Sequence, residues 1–310
     1  MVSMRTNLES FLGCTTPVVP SQFLSKSETK KLNRLWHPWE REKVDYFVLS
    51  DLWNSFDELS AYGAGVPIIS DNGQNLIQYF VPYLSALQIF TSNSSLTCLR
   101  EETESVISET RGDSYSDSFS DESESEKLSR WDGCSSEEGD SFWHPNERLG
   151  NLYFQYFERS SPYGRVPLSD KISSLSQRYP GLMSLRSVDL SPASWMAVAW
   201  YPIYHIPKGQ TIKDLQTCFL TYHTISSSFQ DVDEIEEEVE MKEKEGERIA
   251  VPPFGMATYK MQGDIWLSEN KKGTDDRERI VSLLSVADSW LKQLRVQHHD
   301  FNYFIGNRHP

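Results

Sequence analysis

The chain has 310 residues, 38% of them apolar and 12% aromatic, which suffices for a large buried core and excludes global disorder. Its formal charge of −15 is unevenly placed. Residues 101–140 hold 14 Asp/Glu against 3 Lys/Arg and residues 231–247 hold 10 against 2, which leaves 21 acidic and 25 basic residues elsewhere. The remainder is mildly basic, with no Lys/Arg run of the kind that tracks a phosphate backbone, so direct nucleic-acid binding is disfavoured.

The four cysteines, Cys14, Cys98, Cys134 and Cys218, form no CxxC pair, and the N-terminus lacks the apolar stretch of a secretory signal. A reduced compartment, cytoplasm or nucleus, is expected. The best apolar run, Trp195 to Ile206, contains Pro202 and His205 and is too short for a membrane-spanning helix.

In chain order, residues 1–43 read as an N-terminal arm, with capping boxes at Thr6–Glu9 and Ser25–Glu28 and with Trp36 and Trp39 as anchors. Residues 44–310 read as one domain interrupted by disordered acidic insertions at about 99–145 and 229–249, where apolar residues are too few to offset chain entropy. A strand at Val44–Leu49 leads to Asp51 as N-cap of a helix carrying Leu52, Trp53, Phe56 and Leu59 and ending at Tyr62-Gly63. Leu76–Phe90 reads as one or two strands with Pro82 at a bulge or edge, or alternatively as a helix starting at Pro82. Leu152–Phe157 reads as a strand buried on both faces, followed by a helix from Ser169 with Ile172, Leu175 and Tyr179 on one side.

Trp195–Ile206 and Cys218–Ile225 read as strands, and Met261-Gln262-Gly263 as the turn of a hairpin. The C-terminal helix shows one stripe of Ile280, Leu283, Leu284, Ala287, Leu291 and Leu294, with acids at its start and bases at its end. The expected fold class is α+β, a mainly antiparallel sheet with helices packed on one side.

No segment carries a recognisable catalytic motif. Gly63-Ala64-Gly65 lacks the third glycine and the Lys-Ser/Thr of a phosphate loop. Ser194, His205 and Asp214 could supply a nucleophile, base and orienter, but no nucleophile elbow supports them. His298-His299-Asp300 has no second ligand cluster at zinc spacing, so neither metal nor cofactor is expected. Trp195, Trp200, Tyr201 and Tyr204 form the densest aromatic group; strand alternation would bury half of them, and a ligand groove is the alternative. Ser114, Ser118, Ser123 and Ser135 each precede an acid by three positions, the pattern that acid-directed kinases read.

The segments NLESFL with TTPVVP, LSDLWNSFDELSAYGAGVPI, QYFVPYLSALQIF, PLSDKISSLSQRYPGLMSLRSVDLSPASWMAVAWYPIYHIP and Leu215–His223 together resemble the plant domain-of-unknown-function 789 family. The resemblance spans nearly the whole chain outside the acidic insertions. It implies a plant source and an acidic serine-rich insertion, and it brings no catalytic residue with it. The expected function is a non-enzymatic interaction or regulatory protein with an unidentified protein partner and phosphorylatable acidic loops. The alternative is an enzyme or small-molecule binder with a pocket near the aromatic strand 195–206.

Overall fold

A computed structural model describes residues 5–37, 44–69, 75–92, 149–203, 215–229, 248–267 and 276–306. Both acidic segments, and with them Ser114, Ser118, Ser123 and Ser135, lie outside these residues, as do Trp39, Tyr204, His205 and Asp214.

The structure is mixed helix and strand around a mainly antiparallel six-stranded sheet. Its axis is one long strand, β5 (Asn75–Thr91). Along one edge β5 pairs with β7 (Trp195–Ile203); along the other it pairs first with β4 (Ala64–Ile69) and then with β6 (Asn151–Phe157). β8 (Cys218–Thr224) continues outward from β7, and β10 (Gly255–Tyr259) completes that side. Pro82 falls in the gap between the β4 and β6 registers, where only β7 pairs with β5. A residue without an N–H is tolerated there because the second ladder is already interrupted. The stretch is therefore strand throughout, and the helix starting at Pro82 does not form. Short ladders flank the sheet: β1 (Val18–Pro20) with β9 (Arg248–Ala250), and β2 (Gln22–Leu24) with β3 (Val44–Tyr46).

Strand alternation divides β7 between two cores. Met196, Val198 and Trp200 face the first, and Trp195, Ala197 and Ala199 the second. Helix α1 (Asn7–Thr15) inserts Leu8 and Phe11 into the first core, where the Phe11 ring stacks on Phe219 at 3.9 Å and meets Phe80 edge-on at 5.3 Å. The Thr6–Glu9 capping box starts α1. Asn7 then acts as a further strand residue for β4, its amide donating to Ile69 O and its Oδ1 accepting from Ile69 N, both at 2.8 Å.

Four further helices complete the first core: α3 (Leu49–Asn54), α4 (Asp57–Tyr62), α5 (Leu168–Ser176) and α6 (Gly181–Ser184). The single helix expected over residues 52–59 is divided into α3 and α4. The break lets Phe56 turn fully inward and lets Trp53 Nε1 donate to Leu182 O at 2.6 Å.

Helices cover both sides of the sheet, not one. α8 (Asp276–Gln293) and α9 (His299–Gly306) pack on the second face. That face is lined by Ala86, Ala197, Ala199 and Ala257, whose short side chains let a helix lie close. α8 wraps the sheet edge: Ile280 belongs to the first core, and Ala287 and Leu291 to the second, while Leu283 and Leu284 are half-buried.

Two further expectations are corrected. β6 is an edge strand with only Phe154 buried, so the density of aromatics in LYFQYF does not report burial on both faces. Gly263–Trp266 is a short helix, α7, not the second strand of a hairpin. Thr217 Oγ1 donates to Lys260 O and accepts from Gln262 N, turning the chain so that Trp266 enters the aromatic knot 4.9 Å from Phe219.

Helix and strand backbones meet closely where Gly255 faces Ala287: a Cβ on Gly255 would lie 2.9 Å from the Ala287 Cβ and 3.1 Å from its Cα and N. Neither strand nor helix backbone can yield cheaply there. Gly255→Val should destabilise the protein by about 1–3 kcal/mol, seen as a lowered thermal midpoint. An unchanged midpoint would show that α8 does not seat on β10 at this point.

Candidate functional site

The described residues contain two places where chemistry could reside, a buried polar cluster and an open cleft. The cluster is built on a bulge in β5, where the register to β7 shifts between Leu84 and Ala86 and leaves Ser85 unpaired with β7. Ser85 Oγ lies 2.9 Å from His298 Nε2 and donates to Asp300 Oδ2 at 2.5 Å. His298 Nδ1 meets Tyr222 Oη at 2.7 Å. Asp300 is held bidentately by Arg165, both contacts at 2.7 Å, and Arg165 also donates to Ser160 O. Ser85, Tyr222, His298 and Asp300 are all buried, and the Arg165 side chain is 3% exposed.

A serine 2.9 Å from an imidazole invites a nucleophile–base reading. The protons run the other way. The Asp300 carboxylate can only accept, so the one hydroxyl proton of Ser85 is committed to it. Ser85 Oγ must then accept from His298 Nε2–H. Burial lowers the His298 pKa to about 4, so the ring is neutral at pH 7 and its bare Nδ1 takes the Tyr222 proton. Burial also pushes the Tyr222 phenol well above its usual value, so that proton stays in place. The chain Tyr222, His298, Ser85, Asp300 thus ends on a carboxylate neutralised by Arg165. His298 supplies a proton to Ser85 and removes none.

The neighbouring Glu158 is equally committed. Its N–H donates to Ser85 O at 2.9 Å, and its carboxylate accepts from Tyr156 Oη and from the N–H groups of Arg159 and Ser160. Although burial opposes ionisation, these donors outweigh it and, with Lys171, hold the carboxyl at about pKa 2. The cluster ties β5, β8, the 158–165 loop and the start of α9 together.

On the first-core side of β8 a second buried histidine is wired similarly. His223 Nδ1 donates to Val251 O at 2.8 Å, so its Nε2 accepts from Thr221 Oγ1, which itself accepts from Trp200 Nε1 at 3.0 Å. Burial lowers the His223 pKa to about 4.

Trp195 and Trp200, two of the aromatic residues singled out as a groove, lie on opposite faces of the sheet. Both are fully buried, their indole N–H groups donating to Gln88 Oε1 and Thr221 Oγ1. Tyr201 is half-buried beneath Arg165 at 5.9 Å, and Tyr204 lies outside the described residues. The Ser194 hydroxyl hydrogen-bonds the backbone of Phe90 and not a histidine. Among the described residues no cluster of metal-binding side chains is present, and no helix is long and apolar enough to cross a membrane.

The open cleft, about 560 Å³, lies between the 24–36 segment and the 186–189 turn. Leu24, Leu32 and Val188 form its apolar floor, and Lys31, Asn33, Arg186, Glu28, Asp189 and Ser92 its polar wall. α2 (Lys26–Thr29) and the turn after it expose Lys26, Lys30, Lys31 and Arg34. Both carboxylates are already engaged. Glu28 accepts from the hydroxyl and N–H of Ser25, which lower its pKa with help from Arg186 and Lys31. Asp189 holds Arg186 at 2.7 and 3.0 Å, and Arg186 lies 5.5 Å over the Tyr46 ring.

Both ends of the 93–148 segment emerge here. Ser92 lines the cleft, and Gly150 (φ +79°) leaves no room for a Cβ, which would fall 2.7 Å from Trp36 Cζ2 and 2.9 Å from Thr91 O. Sequence reading missed this cleft because its cations become a patch only once Arg186 is brought across from residue 34. The one visible signal was the four bases in KSETKKLNR.

Removing a member of the buried cluster should cost stability. Asp300→Asn strands a buried guanidinium and should cost about 3–5 kcal/mol, and Ser85→Ala about 1–3 kcal/mol, both read by denaturant titration. Wild-type midpoints from Asp300→Asn would mean the cluster is not a structural tie. The two histidines predict acid sensitivity. Their folded pKa values near 4 lie below the unfolded value of 6.5, so the unfolded chain binds more protons between these limits. Stability is full above pH 6.5 and falls as pH drops toward 4, by about 3 kcal/mol for each imidazole; the Glu158 contribution is lost lower still, between about 4.5 and 2. Thermal melts from pH 7.5 to 4.5 should show a monotonic decline, and a flat profile would mean that both rings are already solvated or charged.

Comparison with curated proteins and with solved structures returns no match. The family model described as "Protein of unknown function (DUF789)" matches residues 6–304, from the cap of α1 to the middle of α9. Every element of both cores except the last two residues of α9 lies within that span, and the chain therefore belongs to the DUF789 family.

Proposed function

We propose that this protein is a non-enzymatic interaction protein whose rigid core presents a cationic surface, and that its acidic serine tract sets the strength of that interaction through phosphorylation. The observation that carries the reading is the contrast between the two sites. The serine–histidine pair, the arrangement closest to catalysis, is sealed and its protons are committed to structural bonds. The accessible cleft carries Lys31 and Arg186 together with Glu28 and Asp189, its 24–36 wall exposes Lys26, Lys30, Lys31 and Arg34, and Ser92 lines it where the chain runs on toward the acidic segment.

Phosphorylation of Ser114, Ser118, Ser123 and Ser135 would add about −1.5 to −2 charge at each site. Added negative charge competes with an acidic partner for the same cations. Screening by salt weakens that competition, since exposed charges interact only over about 8 Å at physiological ionic strength.

The test is affinity purification with the full chain, with and without phosphatase, followed by direct binding of each recovered partner. Deletion of residues 101–140 should raise affinity for an acidic partner, with the gain shrinking at high salt. If every partner binds equally with and without the tract at both salt concentrations, the regulatory part of the reading is wrong.

A further inference from the structure

One end of the sheet is bare on its second face. β4, β5 and β7 contain no Asp, Glu, Lys, Arg or His, in a chain of net charge −15. Val66, Ile68 and Phe80 point into the first core, so strand alternation turns Gly65, Pro67, Ile77 and Tyr79 to the second face. Ile203 pairs with Tyr79 and shares that face. α8 and α9 cover the second face over β8 and β10, and α9 reaches as far as Tyr201, whose ring lies 6.5 Å from Phe304. Past that point Gly65 and Pro67 are exposed, Ile77 is 42% exposed, and Tyr79 and Ile203 are half-buried. The Tyr79 ring lies across Gly65, where a Cβ would fall 3.1 Å from Tyr79 Cε1. Tyr62, 72% exposed, adjoins this face through Gly63, whose Cβ position is 3.3 Å from both Ile203 Cδ1 and Tyr79 Cβ.

Both acidic segments leave the core from the other end. Gly150 and Ser92, which flank residues 93–148, stand at the Thr91 end of β5, about 45 Å along the strand from Ile77. The chain enters residues 230–247 from that same end, since Ser226 donates to Leu190 O and Leu190 bridges Thr91. Two copies can therefore meet at the bare end while the points where their acidic tracts leave the core stay far apart, which limits repulsion between like charges. At strand spacings of about 4.8 Å and a rise of about 3.3 Å per residue, the bare end measures roughly 25 Å by 14 Å, or about 350 Å² in plan. A stable interface takes about 800 Å² from each partner, so this area suits a weak, reversible pair.

We propose that the bare end of the sheet is a self-association surface, on which a second copy of the chain packs face to face about a two-fold axis, with Ile77, Tyr79 and Ile203 of each copy against those of the other. An apolar sheet face is complementary to itself, and a two-fold axis lets one patch serve both copies. A charged partner finds no ion pair on these strands. Apolar burial supplies the attraction and repulsion between two chains of −15 opposes it, so added salt strengthens the pair. An ionic contact would respond to salt with the opposite sign.

The test is sedimentation equilibrium of the full chain from about 1 to 200 μM at low and high salt. It should show a monomer–dimer equilibrium with Kd on the order of 10–100 μM, tighter at high salt. Ile77→Lys places like charges in the contact and should weaken the dimer at least about tenfold. Val281→Lys combined with Val286→Lys, on the exposed side of α8, should leave it unchanged. Because Ile77 already faces solvent, Ile77→Lys should melt like the wild-type monomer.

A chain that stays monomeric throughout at both salt concentrations would overturn the proposal. So would a dimer that ignores Ile77→Lys, one weakened equally by the α8 variant, or one that salt weakens. Species larger than a dimer would rule out the two-fold contact, which closes on itself. A clear fall in the melting midpoint of monomeric Ile77→Lys would mean that the chain's own residues cover this face, and would equally overturn the assignment.

Discussion

The hydrogen bonding of β5 on both its edges is the constraint from which the rest of the structure follows. One strand of 17 residues carries β7 along one side and two different strands in succession along the other. Two irregularities result, and both are used. The gap between β4 and β6 admits Pro82, and the bulge at Ser85 turns a side chain out of the ladder toward His298 and Asp300. Without that bulge the C-terminal segment would keep Tyr222 but lose its polar anchor on β5.

The two faces of the sheet solve the packing problem differently. The first is filled by large interlocking rings, Phe11, Phe80, Trp200, Phe219 and Trp266, whose edge-on and stacked contacts favour one arrangement. The second is lined by alanines and Gly255, which let α8 approach until backbone meets backbone. A polar cluster is costly in such a place, and it is tolerated because its members are joined donor to acceptor and its one carboxylate–guanidinium pair is bidentate. Its effect is to fix where the 158–165 loop and α9 sit.

This division bears on function. The buried Ser85, His298, Asp300 and Arg165 groups are spent on holding the molecule together, while the exposed bases Lys26, Lys30, Lys31 and Arg34 lie on the segment that walls the cleft.

Local patterns were legible wherever neighbouring residues alone decide the outcome. The Thr6 and Ser25 caps, strands β7 and β8 and the C-terminal helix could all be read from the chain, since side-chain contacts three or four residues apart and strand alternation are short-range physics. So were the family motifs and the acidic tracts, which are properties of residue order and composition. Tertiary structure decided what depends on distant partners: whether LYFQYF lies at an edge, whether Gly263–Trp266 becomes a strand or a helix, and which sides of the sheet are covered. It also brought Ser85 to His298 across 213 positions, and Arg186 to the cleft wall that holds Lys31. Those meetings are set by β5 and the elements packed around it, because the energy that makes them comes from burial and hydrogen bonds between segments that no local pattern connects.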